Sequence, residues 1–88
     1  MIYRAFSLER NNASFNTGFK DSSGNEIFTG DFIQFKDTST LCEVFFDHDL
    51  GAFFFNAHFG NVLQPFRLTR DIAKKCRIIG YCNQEVLS

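Results

Sequence analysis

Residues 17–35 read TGFKDSSGNEIFTGDFIQF, which places two polar turns and an alternating strand within nineteen residues. In residues 20–25 the Asp and Ser side chains are suited to bonding the local backbone, and Gly24 supplies the positive φ that such a turn needs. Gly30-Asp31 forms a second corner, with Asp31 placed to accept hydrogen bonds from nearby N–H groups. Phe28, Ile33 and Phe35 are left to enter a core. Glycines at 18, 24 and 30 resemble a phosphate loop in spacing, but no Walker lysine accompanies them and no helix pattern follows. The stretch constrains the fold far more than the activity.

The same logic extends along the chain. Residues 1–6 alternate Ile2, Arg4 and Phe6 against Tyr3 and Ala5, the mark of a short strand. Residues 13–19 read as an extended segment anchored by Phe15 and Phe19. Strands are predicted at 31–36, 41–47, 52–58, 62–67 and 76–82, separated by turns at 37–40, 48–51 and 60–61. Pro65 carries no backbone donor and belongs on an edge or in a bend. Thr69 is suited to cap one helical turn over 70–75, with Ile72 facing inward. Residues 83–88 read as a peripheral tail. About five strands with one short helical turn before the last is the order of a small SH3-like barrel. The expected fold is therefore mainly β, one domain over residues 1–88, with closure removing most open edges.

A chain of 88 residues buries only about 60–65% of the surface its unfolded form exposes, so its core must be efficient. Thirteen Phe and two Tyr, with no Trp, meet that need, each buried ring removing roughly 150–250 Å² from water. So many rings leave some for the surface, where an aromatic cluster marks a contact site. The formal charge of −1 argues against a basic nucleic-acid-binding module. Arg67, Arg70, Lys74, Lys75 and Arg77 form either a local basic patch or a solvated face. Three Cys, an odd number without CxxC spacing, and an N-terminus without a signal-like apolar run point to a reduced, cytoplasmic setting. No apolar run approaches the length of a membrane span.

Thr17-Gly18-Phe19-Lys20-Asp21, Gly24-Asn25-Glu26-Ile27-Phe28 and Gly30-Asp31-Phe32-Ile33 together resemble the hallmark of the YopX-like family of phage and prophage proteins, approximately TGLKDKNGKEIYEGDIV. The turns and apolar positions correspond in order across seventeen residues. Looser similarity follows in Cys42-Glu43-Val44-Phe45-Phe46, Gly51-Ala52-Phe53, Ile78-Ile79-Gly80 and Asn83-Gln84-Glu85, so that residues 15–88 are covered. Tyr3-Arg4-Ala5-Phe6 is similar to the family's opening FRAWD, but the long segment that normally follows is missing. Gly80-Tyr81-Cys82 stands where the family has Gly-Asn followed by Ile or Val and Tyr. The resemblance implies phage or prophage origin in a bacterial host cell, a β-rich compact domain and self-association. It brings no enzymatic activity.

The residues that carry chemistry elsewhere are weakly placed here. His48, His58, Asp47, Asp49 and the cysteines lack the tight local pairs of a structural zinc site, and no metal or cofactor is expected. Cys42, Cys76 and Cys82 all fall in predicted strands, where a thiol behaves as a small apolar group. Asp21, Glu26 and Asp31 flank turns, where acids bond backbone. The aromatic stripe is the best functional candidate. Alternation sends Ile33, Phe35, Val44, Phe46, Phe53 and Phe55 to one face and Phe32, Phe45 and Phe54 to the other. That second face is either a contact surface or the floor of a second small core covered by Phe6, Phe15 or Phe19. The expected function is non-enzymatic binding of a host or phage protein, or of a second copy, through Phe32, Phe45 and Phe54. Inhibition of a host defence protein is the form that phage origin favours. The alternative is a nucleic-acid-binding barrel in which Phe45 and Phe54 stack bases while Arg67, Arg70 and the C-terminal basic residues meet phosphates.

Overall fold

The computed structural model describes residues 2–8, 14–36, 40–59 and 61–86, with the side chains of residues 2–7, 58–59 and 83–86 outside that description. Among the described residues, eight strands and one short helix follow in the order β1 (Ile2–Ser7), β2 (Asn16–Lys20), β3 (Glu26–Phe28), β4 (Asp31–Phe35), β5 (Cys42–Asp47), β6 (Ala52–Phe59), β7 (Val62–Arg67), α1 (Arg70–Ala73) and β8 (Cys76–Val86). The chain is thus mainly β. All neighbours pair antiparallel in a six-stranded sheet of order β1-β8-β4-β5-β6-β7, and β2 and β3 form a separate hairpin. No helix among the described residues is long and apolar enough to cross a membrane.

The five expected strands and the helical turn are all present within a residue or two, except at the last strand. β8 continues to Val86 and pairs along its second half with β1, from Ile2↔Val86 to Ser7↔Tyr81. Residues 83–86 are therefore sheet and not a peripheral tail. The turn expected at 37–40 falls mostly outside the described residues. Thr69 caps α1 as its sequence position predicts, its Oγ1 accepting from Ile72 N at 3.3 Å.

The ladder does not close into a barrel. Among the described residues β7 pairs only with β6 and β1 only with β8, so the sheet is open. The inner face is covered instead by the β2–β3 hairpin and α1. Ile33, Cys42, Val44, Phe55 and Cys76 of the sheet pack with Ile27 of β3, Leu68 and Ala73, and Phe19 and Ile72 add to the same core. A bulge in β8 sets Phe32 opposite Gly80 but Ile33 opposite Ile78, leaving Ile79 as the extra residue.

Two buried carboxylates fix that cover. Asp21, 4% exposed, accepts from Ser23 N (2.9 Å) and Asn25 N (2.8 Å) through Oδ1, and from Ile78 N (3.1 Å) through Oδ2. One side chain thus closes the β2–β3 turn and ties it to β8, and Ser22 N adds a bond to Cys76 O at 2.8 Å. Asp31, fully buried, accepts from Phe28 N at 2.8 Å. Gly30, at φ 85°, donates to Val44 O (2.7 Å) and accepts from Cys82 N (2.6 Å), clamping β5 and β8 together. Gly24, at φ 82°, completes the first turn.

Replacing Asp21 with Ala strands three backbone donors, two of them inside the turn and one on β8. Hydrogen bonds to a charged acceptor contribute about 1.5–3 kcal/mol each in isolation and add less than fully when they share one group. Asp21→Ala is expected to lower stability by about 3 kcal/mol in urea denaturation, and Asp21→Asn by less because one acceptor oxygen remains. Gly24→Ala meets no atom within 4 Å, so its expected loss of about 1–2 kcal/mol is a backbone cost alone.

Candidate functional site

Strand register sorts the aromatic residues onto two faces. Val44↔Phe55, Phe46↔Phe53, Phe55↔Phe66 and Ile33↔Cys42 share the inner face, and Phe45↔Phe54, Phe54↔Arg67 and Phe32↔Glu43 share the outer one. The Phe45 and Phe54 rings are stacked, with centroids 6.0 Å apart at 27°. Arg67 extends that row on β7, and Glu43 lies one row along, opposite Phe32. Phe32, Phe45 and Phe54 are half-buried, each partly shielded by its sheet neighbours.

Of the three residues expected to cover this face, two lie elsewhere. Phe19 packs on the inner core. Phe15 is 70% exposed and borders an apolar hollow of about 400 Å³ with Asn16, Phe46, His48 and Phe53. The Phe6 side chain lies outside the described residues. Among the residues expected to bind, Phe32, Phe45, Phe54 and Arg67 therefore share one surface. Arg70 does not join them. It opens α1, which packs against the inner face.

The basic residues divide in an unforeseen way. Lys74, Lys75 and Arg77 meet Lys36 around a groove of about 870 Å³, together with Ser22, Gln34, Phe35 and Ile79. Arg67 and Arg70 are not part of its lining. Lys36 comes from the end of β4 and reaches the groove because β4 pairs with β8, with Gln34 opposite Arg77. The sequence reading missed Lys36, because its place in the cluster depends on the register of β4 on β8.

The cysteines weighed for other chemistry lie in the interior. Cys42, Cys76 and Cys82 are buried, unpaired thiols. Burial raises the Cys42 thiol. Burial first, and then the negative charge of Asp21, push Cys76 up to about 12. Cys76 Sγ donates to Ala73 O at 3.2 Å. Cys42 and Cys76 therefore hold their protons at neutral pH and are poor nucleophiles. His48 is exposed and packs edge-on against Phe46, with centroids 5.0 Å apart; the His58 side chain lies outside the described residues. Among the described residues no three His, Cys, Asp or Glu side chains gather as a metal site. No family model matches the chain, and no curated protein matches it either.

Native protein is expected to react with a thiol reagent only as fast as it unfolds, and all three thiols should react at once in denaturant. Cys76 also sets a sign for alkaline pH. Its folded value is raised above the unfolded 9.0, so its contribution is complete below pH 9. It should fall away as pH rises from 9 towards 12, because only the unfolded chain releases the proton there. Urea midpoints across that range test this, and Cys76→Ala should flatten the decline.

Proposed function

We propose that this chain is a small, non-enzymatic protein of phage or prophage origin, of YopX-like type, that acts in the cytoplasm of a bacterial host by occupying the surface of a host protein. Blocking a defence component is the form of this activity that its size and origin favour. The supporting observation is the stacked Phe45–Phe54 pair on the sheet face opposite the hairpin and helix, with Arg67 beside it and Glu43 in the next row. Aromatic rings with one charge of each sign at their margins resemble the centre and rim of a protein interface. A carboxylate at the margin of these rings works against a phosphate backbone.

An SH3-like architecture belongs to the same reading. It is supported by the order β8-β4-β5-β6-β7 with a helical turn before β8, which an SH3-like sheet opened at one seam and extended by β1 would have. Self-association is the competing use of the outer face, and mass measurement in solution separates the two.

Phe45→Ser/Phe54→Ser should fold, since both rings are only half-buried, yet lose a tightly bound host protein. Truncating a central aromatic contact costs about 2 kcal/mol or more, roughly thirty-fold in affinity. Affinity purification of wild type and variant from a bacterial host, followed by direct titration with the recovered protein, checks this. Equal recovery by both chains, or no recovery by a monomeric wild type, overturns the reading.

A further inference from the structure

We infer that the groove between the end of β4, the start of β8 and the end of α1 binds a single-stranded nucleic acid, independently of the outer aromatic face. Its lining holds Lys36, Lys74, Lys75 and Arg77, all exposed, and no carboxylate among the described residues. Four of the nine basic residues of a chain with net charge −1 therefore converge on one hollow. Asp21, directly behind Ser22, is buried with its oxygens taken up by backbone donors, so they are not presented to a ligand in the groove.

Helix stabilisation does not account for the cluster. Lys74 is the C-cap of α1, and a cation there complements the helix end, but Lys36 follows β4 and Arg77 lies on β8, and neither belongs to the helix. Like charges around one hollow repel one another, and a bound polyanion removes that repulsion. The groove's volume of about 870 Å³ lies towards the upper end of the range of about 300–1,000 Å³ for ligand sites, more than one phosphate group fills.

Phe35 and Ile79 give it an apolar wall, and Gln34 and Ser22 add hydrogen-bonding groups. Cations beside an apolar wall and polar side chains suit phosphates, bases and sugars together. An acidic peptide offers carboxylates but no flat apolar surface to lay against that wall. A concave wall also favours a flexible strand over a duplex, whose grooves are entered by protruding elements. The pairing of Lys36 with the Lys74–Arg77 cluster replaces Arg67 and Arg70 as the phosphate-facing set.

Fluorescence anisotropy with a labelled oligothymidylate at several salt concentrations tests the proposal. Four phosphate contacts on a single strand give a log–log salt slope of about −2.8, so affinity should fall about fifty-fold between about 50 and 200 mM salt. Lys74→Gln/Lys75→Gln, at exposed positions, should halve that slope. Arg70→Gln, which removes a nearby charge from outside the lining, should leave the slope unchanged.

Absence of binding at low salt overturns the proposal, as does a slope that the double variant does not change. Tighter binding of the duplexed oligonucleotide overturns the single-strand assignment. Inorganic polyphosphate or polyglutamate competing as well as the oligonucleotide overturns the nucleic-acid assignment.

Discussion

The carboxylate of Asp21 is the constraint on which the rest of the molecule depends. It is buried, and three backbone N–H groups from two separate elements converge on it. A carboxylate taken out of water must be well hydrogen-bonded to be tolerated. Satisfying it fixes the shape of the β2–β3 turn and its distance from β8 in a single step. The hairpin is then held over the inner face, where Ile27 and Phe19 complete the core. Because Ser22 is drawn onto Cys76 by the same arrangement, the turn also becomes one wall of the basic groove. Core closure and groove shape are thus two results of one anchored side chain.

The Phe-rich sequence is divided by strand alternation. In Phe53-Phe54-Phe55 the outer two rings turn inward and the middle one turns out, and β5 answers with Phe46 and Val44 on one side and Phe45 on the other. Inward rings meet at 5.0 Å for Phe46–Phe53, 5.3 Å for Phe35–Phe55 and 5.8 Å for Phe55–Phe66, separations typical of attractive aromatic pairs. In a chain this short, large rings fill the space between sheet and hairpin with few residues. The strands that build the core necessarily place other rings on the opposite face.

Much of this was legible because it is local. Asp21, Gly24, Gly30 and Asp31 announce their turns within a few residues, Thr69 announces its cap, and the period of two assigns each Phe to a face. Pairing between distant strands was less legible. Nothing in residues 83–86 distinguishes a tail from a strand until β1 lies beside them. Closure likewise depends on whether β7 finds a partner, which alternation within β7 does not encode. Lys36 entered the basic cluster through the register of β4 on β8, so a reading confined to the C-terminal charge run gathered Arg67 and Arg70 in its place.

An open sheet has two rims, and the position of Pro65 bears on what one of them can do. β7 forms an outer strand whose residues are exposed apart from Phe66. Left unbroken, such a rim would template the addition of another chain, and successive copies would extend the sheet into a ribbon. Pro65, opposite Asn56 near the middle of the strand, has no N–H to offer and interrupts that rim where a docking strand needs continuous partners. The fold can therefore forgo barrel closure, and keep the outer face and the basic groove accessible, without inviting end-to-end growth along this edge.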